Sequence, residues 1–167
     1  MSNIDEFFEK VITVKLPEDR QSVDILDQTL LPGTVKRINL HTKEELWDAI
    51  KKLKVRGAPA IGVSAAYGIA VLANKIEASD FDSFYKEFKE LKDYLASSRP
   101  TAVNLFWALN RMDDKALEVK DQPIDKIKEI LFEESQKIRD EDVAISRNIG
   151  EYGFGLLKEL KLLLIYG

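Results

Sequence analysis

Residues 55–68 read VRGAPAIGVSAAYG, and this stretch decides the fold. Glycine and alanine dominate it, and Arg56 is its only charged residue. Pro59 suits the first turn of an α-helix, where its missing N–H would have no intrahelical acceptor, so we predict a helix over residues 59–74. The most apolar part, residues 61–73, is shorter than the roughly 20 residues that span a bilayer. We therefore expect a closely packed, buried helix rather than a membrane segment.

The patterns on either side of this helix predict an α+β fold, in which a small N-terminal β-sheet precedes a mainly helical domain. VITVKL at residues 11–16 is rich in β-formers, and two further strands flank a turn at Pro32 and Gly33. After residue 41 the apolar residues recur at helical spacing. The predicted helices cover residues 42–53, 59–74, 80–97 and 101–119, and another runs from Pro123 to at least Arg139.

Local signals add detail to three of these helices. Thr42 and Glu45 have the spacing of a capping box at a helix start. Five apolar residues between 80 and 97 lie on one helical stripe and are predicted to be core: Phe81, Phe84, Phe88, Leu91 and Leu95. GEYGFG at 150–155 is expected to break the last helix, and KLLLIY at 161–166 to form a buried strand.

Composition excludes several functions. The 167 residues are 45% hydrophobic and 32% charged, as in a soluble globular protein. A net charge of −4 provides no basic surface, so nucleic acid is not expected as a ligand. Without cysteine there is no disulfide, thiolate metal site or cysteine nucleophile, and His41 alone makes no metal site. The acidic start lacks a secretory signal, so we expect a cytoplasmic protein with no membrane partner, metal or cofactor.

Two arginines precede predicted helix starts. GAPAIGVS is not a P-loop, because Val63 stands where the phosphate-binding lysine is needed. What remains is Arg56–Gly57–Ala58 before a helix, where free N–H groups and the helix dipole favour an anion. Arg99, before Pro100, repeats the pattern, and its planar fork also suits phosphate. The alternative is that Arg56 caps a surface carbonyl and the small residues serve only packing. The two arginines are predicted to converge on one phosphate, although nothing local in the sequence brings them together.

The acidic residues give no catalytic pattern. Asp27 and Gln28 lie within an apolar strand, where a carboxylate is more often a hydrogen-bonded structural group. Two pairs, Asp113–Asp114 and Glu133–Glu134, have lysines nearby and are interpreted as solvated helix faces. From the residues alone, the chain is a soluble α+β domain with a possible anion site.

Three segments also carry a family resemblance. DILDQTLLPGTVKRI, KVRGAPAIGVSAAYGIA and SRPTAVNLFWALNRM, in this order and spacing, resemble the N-terminal half of methylthioribose-1-phosphate isomerases. That superfamily includes the regulatory subunits of the translation-initiation guanine-nucleotide exchange factor of eukaryotes. The resemblance covers roughly residues 24–150. It implies that Arg56, Gly57, Ala58 and Arg99 contact the phosphorylated sugar.

The resemblance also implies a reaction. The substrate would be a ribose phosphorylated on its C1 oxygen. Its ring opens and hydrogen shifts between C1 and C2, which gives methylthioribulose 1-phosphate. This reaction belongs to methionine salvage, a route of amino-acid biosynthesis. The family uses no cofactor, is typically a homodimer, and places a catalytic cysteine in a THCNAG segment, followed later by an aspartate; neither can be located in this chain.

The linker-like EVKDQP at residues 118–123 suggests a division of the chain. We expect residues 1–120 to form the sugar-phosphate-binding domain. Residues 121–167 would be a connecting helix and the beginning of a truncated Rossmann-like domain. The chain alone is then expected to be inactive as an isomerase. The alternative is a non-catalytic regulatory or assembly module, like the exchange-factor relatives.

Overall fold

A computed structural model of the chain describes residues 12–160, with side chains up to residue 157. Three strands form an antiparallel sheet in the order β1–β2–β3. They are β1 (Val14–Lys15), β2 (Val23–Leu26) and β3 (Arg37–Leu40). The helices of the described part are α1 (Lys43–Lys51), α2 (Ala58–Asn74), α3 (Phe81–Ala96), α4 (Val103–Glu118) and α5 (Ile124–Leu160). The predicted α+β class is confirmed.

The second strand ends earlier than predicted because Asp27 starts a turn. The Asp27 Oδ1 atom accepts hydrogen bonds from the backbone N–H of Thr29 at 3.0 Å and from its hydroxyl at 2.6 Å. Such side-chain bonds compete with the strand ladder, and a short 3-10 helix (Gln28–Leu30) follows. Asp27 is buried and hydrogen-bonded within this turn, as its structural interpretation predicts.

Helix α2 lies at the centre of the helical layer. It is apolar around its whole circumference, and every residue from Ile61 to Ala73 is buried. It packs against the sheet and against each of the other four helices. A helix that is hydrophobic on all sides is stable only when other elements cover it, so the predicted buried helix is confirmed.

The helices around α2 confirm the local predictions. The capping box at the start of α1 is present, with the Thr42 side chain bound to the Glu45 N–H and the Glu45 carboxylate bound back to Thr42. On α3 the predicted stripe faces the core: Phe84, Phe88 and Leu95 are fully buried, and Phe81 and Leu91 pack against them.

The last helix is longer than predicted. The glycines of GEYGFG do not end it, and α5 continues to Leu160. Each glycine in a helix interior costs only about 1 kcal/mol relative to alanine, so this motif alone is a weak stop signal. Its first part enters the common core through Ile127, Leu131 and Phe132. The core thus continues past residue 120, and the domain division there stays a prediction. The predicted strand at 161–166 lies outside the described residues.

Two carboxylates predicted to be solvated are buried instead. Asp113 accepts a hydrogen bond from the Tyr85 hydroxyl at 2.8 Å and forms an ion pair with Lys92. Glu134 pairs with Arg111 at 2.7 Å between Oε1 and Nε. The solvated-face interpretation of these two residues is wrong. The cations closest to both carboxylates come from other parts of the fold, and not from the lysines nearby in sequence on which the prediction rests.

None of the described helices combines the length and the apolar character needed to cross a membrane. The longest, α5, carries charged residues along its whole course. This observation agrees with the sequence expectation for residues 61–73, which lie inside the core.

The capping box predicts a small acid-dependent loss of stability. Hydrogen bonds from the backbone N–H groups of His41, at 2.7 Å, and Thr42, at 3.1 Å, lower the pKa of Glu45, with His41 the larger cause. A lowered pKa stabilises the fold above the unfolded-state pKa of about 4.3, and this contribution disappears as pH falls through the folded-state value. Glu45→Gln retains an acceptor that does not titrate.

We therefore expect the wild-type free energy of unfolding to fall more steeply between about pH 5 and pH 3 than that of Glu45→Gln. The exposed position limits the difference to roughly 0.3–1 kcal/mol. Urea unfolding across this pH range measures it. Parallel pH profiles for the two proteins would contradict the prediction.

Candidate anion-binding site

The start of α2 presents unused hydrogen-bond donors. Gly57 occupies the N-cap position with φ 93° and ψ 132°, a conformation that favours glycine, and no side chain caps the helix. Pro59 has no N–H, and the first N–H to be satisfied is that of Ile61, which donates to the Gly57 carbonyl at 3.0 Å. Within the described residues, the N–H groups of Ala58 and Ala60 have no acceptor.

The loop before α2 holds Arg56 at this helix start. The N–H of Gln28 donates to the Lys54 carbonyl at 2.9 Å, and the N–H of Lys54 donates to the Ala49 carbonyl at 2.9 Å. Val55 is buried and anchors the loop in the core. Arg56 follows it and is exposed. Its guanidinium has no hydrogen bond or ion pair to any side chain described, up to residue 157.

The start of α4 has the same features. The N–H of Ala102 donates to the Arg99 carbonyl at 3.0 Å and closes a turn before the helix. Ala102 occupies the N-cap position and offers no side-chain acceptor, so the N–H groups of Val103 and Asn104 remain free within the described chain. Arg99 is half-buried, and its guanidinium too lacks a partner among these residues.

Side chains of the protein itself cap the starts of α1 and α3. Thr42 caps α1, and Asp80 caps α3 by accepting the Ser83 N–H at 2.9 Å. Both helices also carry acidic residues in their first turns, whereas α2 and α4 carry none. Unlike those of α1 and α3, the positive ends of α2 and α4 are therefore left available to an external anion.

Helices α2 and α4 touch close to these two starts. A Cβ atom on Gly62 would lie 3.1 Å from the Asn104 carbonyl oxygen and 3.6 Å from the Asn104 Cβ atom. Gly62 is in the second turn of α2, and Asn104 is in the first turn of α4. The absence of a side chain at Gly62 lets the two backbones approach this closely.

Both helices also lie against α5. Burial raises the pKa of Tyr67 on α2 to about 12, and the positive charge of Arg139 on α5 acts against this rise. On α4, Arg111 forms an ion pair with Glu141 of α5. Helices α2, α4 and α5 therefore form one packed group, in which the contact between Gly62 and Asn104 brings the two helix starts together.

The predicted site residues thus fall at two adjacent helix starts. Arg56, Gly57 and Ala58 lie at the start of α2, and Arg99 precedes α4. That the two guanidinium groups converge on one phosphate stays a prediction. Sequence reasoning missed the contact of Gly62 with Asn104. A glycine one helical turn after the start of an apolar helix was the available signal, but its partner is distant in sequence.

Shallow concavities elsewhere on the described surface are different in character. One between α4 and α5 is lined by Trp107, Arg111, Lys115 and Glu134. The positive charge of its arginine is balanced by ion pairs with Glu134 and Glu141, and the hydrogen bonds to Glu141 and Glu134 raise the pKa of the guanidinium. Among the side chains that the structure describes, no group of histidine and acidic residues is arranged to hold a metal ion.

Comparisons with known proteins agree with the resemblance seen in the sequence. Residues 54–167 match the Initiation factor 2 subunit family. The 5-deoxyribose 1-phosphate isomerase of Petrotoga mobilis is 52% identical over 148 residues, which are 89% of this chain and 43% of that protein. The crystal structure of 5-methylthioribose 1-phosphate isomerase from Pyrococcus horikoshii OT3 matches with a TM-score of 0.80 and 41% identity, covering 84% of this chain and 39% of the other.

A second solved structure carries a different name. The delta subunit of translation initiation factor eIF-2B from A. fulgidus matches with a TM-score of 0.78 and 41% identity, over 86% of this chain and 41% of that one. The chain spans about two fifths of the length of all three proteins. At these identities the similarity includes sequence as well as fold, and the predicted family resemblance is confirmed.

A capping side chain added at the start of α4 should raise the stability of the fold and weaken anion binding. Ala102 is extended, with φ −83° and ψ 94°, so Ala102→Asp can accept a free N–H and interact with the helix dipole. We expect the free energy of unfolding to rise by about 0.5–1 kcal/mol. Affinity for inorganic phosphate should fall, because the carboxylate occupies the same donors and repels the anion.

Chemical denaturation and calorimetric titration with phosphate measure the two effects. Ala102→Ser is the matched control, since it caps the helix without adding charge and should weaken phosphate binding less. Unchanged phosphate affinity in the aspartate variant would show that the start of α4 is not part of the site.

Proposed function

Because the chain belongs to the initiation factor 2 subunit family, we propose that it is the N-terminal, sugar-phosphate-binding part of an aldose–ketose isomerase. The substrate would be a ribose 1-phosphate with an apolar group at C5. The observation that carries this proposal is the pair of uncapped helix starts, side by side, each preceded by an arginine without a partner in the described chain.

A phosphate group suits this arrangement. Its dianion accepts hydrogen bonds from the free N–H groups of Ala58, Val103 and Asn104, and the positive ends of two helices add to the attraction. Arg56 and Arg99 each offer a planar fork that binds phosphate through two parallel hydrogen bonds. Neither helix has an acidic residue in its first turn, so no carboxylate there competes with the phosphate for these donors.

The names of the similar proteins support the substrate class. One relative is named for 5-deoxyribose 1-phosphate and one structure for 5-methylthioribose 1-phosphate. Both sugars carry phosphate on the C1 oxygen and an apolar group at C5. We propose this common chemistry for the protein to which the chain belongs, with methionine salvage as its setting. A homodimer in the cytoplasm is the assembly that we propose with it.

Phosphate binding by itself does not move hydrogen between C1 and C2. Attraction shared by the ground state and the transition state leaves the chemical step unchanged, and proton transfer requires a positioned acid or base. The chain has no cysteine, so the cysteine that the resemblance implies is not one of these 167 residues. That the chain alone lacks isomerase activity stays a prediction, which a turnover assay of the purified chain tests.

The second candidate is a regulatory or assembly module. The similarity to the A. fulgidus initiation-factor subunit favours it. Binding of a sugar phosphate at the two helix starts distinguishes the candidates, because the arginines and free N–H groups have a direct role only in the isomerase proposal.

Replacing either arginine should weaken sugar-phosphate binding. We expect Arg56→Ala and Arg99→Ala each to raise the Kd for 5-methylthioribose 1-phosphate about tenfold or more, since a hydrogen bond between charged groups contributes about 1.5–3 kcal/mol before solvent screening. Stability should change little, because neither guanidinium has a partner within residues 12–160. Calorimetric titration and thermal unfolding measure the two effects.

Arg147→Ala is the matched control. Arg147 is exposed on α5 and its removal changes the net charge equally, so any general electrostatic effect appears there too. If the wild-type chain binds no sugar phosphate, or if the control loses as much affinity as the two site variants, the isomerase proposal is wrong and the regulatory candidate is favoured.

A further inference from the structure

The contact between α2 and α4 depends on a missing side chain. A Cβ atom on Gly62 would lie 3.1 Å from the Asn104 carbonyl oxygen, 3.6 Å from the Asn104 Cβ atom and 3.7 Å from the Ala108 Cβ atom. The shortest of these distances is to a backbone atom in the first turn of α4. A backbone oxygen within a helix cannot rotate away, so an added methyl group is accommodated only if one helix moves relative to the other.

We propose that Gly62 is a positioning residue, which sets the separation between the two arginine-bearing helix starts so that both contact one phosphate. This inference rests on the proposed function. Gly62 itself lies inside the core and touches no ligand. It acts through the start of α4, where the free N–H groups of Val103 and Asn104 and the turn after Arg99 move together with the helix.

The size of the displacement explains why binding should respond. Relief of a 3.1 Å contact needs a shift of a few tenths of an ångström, which takes up much of the about 0.5 Å within which binding groups must be held. A phosphate that contacts both helix starts cannot follow both when they separate. It keeps one set of hydrogen bonds and lengthens the other.

Gly68 provides a control within the same helix. A Cβ atom there would lie 3.0 Å from Leu46 Cδ2 and 3.2 Å from Leu46 Cδ1, which is at least as tight. These atoms belong to the end of a side chain on α1, not to the backbone of α4. We therefore expect Gly68→Ala to be accommodated mainly by movement of the Leu46 side chain, without a direct change at the contact between α2 and α4.

The test compares Gly62→Ala with Gly68→Ala in the purified chain, with inorganic phosphate as the probe. We expect Gly62→Ala to raise the Kd for phosphate about tenfold, and Gly68→Ala to leave it within about twofold of wild type. Both variants should melt at lower temperatures, so loss of stability alone does not predict the difference in affinity. Chemical shifts of the amide groups of Ala58 and Asn104 report the site during the titration.

A double-mutant cycle identifies the route of the effect. When Arg99→Ala has already removed the arginine's share of the contact from α4, moving that helix matters less, so Gly62→Ala should then raise the Kd by less than the tenfold expected in the wild-type background. An equal loss of affinity in the two backgrounds would overturn the positioning role, as would equal effects of Gly62→Ala and Gly68→Ala.

Three further outcomes are distinguishable. If Gly62→Ala does not fold, Ala108→Ser widens the same contact from the α4 side and should still weaken phosphate binding relative to Gly68→Ala; equal affinity in these two variants would overturn the inference. If wild type binds no phosphate, the proposed function fails and the positioning role fails with it. If wild type binds phosphate and every Gly62 variant binds equally well, only the positioning role is wrong.

Discussion

Helix α2 is apolar around its whole circumference, so the rest of the structure has to keep water away from every side of it. Other helices and the sheet meet this requirement together. Its small side chains determine how closely each neighbour approaches, since Gly68 receives Leu46 of α1 and Gly62 receives the backbone of α4. Burial of apolar surface, at about 25 cal/mol per Å², is the main driving force for such an arrangement, and here it also fixes the relative positions of the helix starts.

The same packing explains why a binding site can lie at the edge of a rigid core. The N-terminal end of α2 leaves the core at Ile61 and reaches solvent at Ala58, within one turn. Its free N–H groups are thus exposed, yet they are held by a helix that is buried beyond them. Leaving two helix starts uncapped forgoes the stabilisation of roughly 1 kcal/mol that a capping side chain contributes to each. Donors left free in this way are available to a ligand.

Local charge and total charge differ in this protein. The chain carries a net charge of −4, but Arg56 and Arg99 stand without carboxylate partners in the described part of the fold. Four other arginines form ion pairs: Arg20 with Glu129, Arg37 with Asp24, Arg111 with Glu134 and Arg139 with Asp140. An anion is therefore attracted by the immediate surroundings of the two helix starts rather than by the field of the whole molecule, which is screened within about 8 Å at physiological salt.

The sequence by itself determined the fold class, the helices and their main caps, because hydrophobic periodicity, Pro59 and the pair of Thr42 and Glu45 act over one or two helical turns. It also indicated, through local chemistry and family resemblance, which arginines to consider. Only the tertiary structure decided that the starts of α2 and α4 are neighbours and that Asp113 and Glu134 are buried. These facts depend on contacts between residues far apart in the chain. No local pattern records the distance at which two helices pack, since that distance depends on the side chains of both.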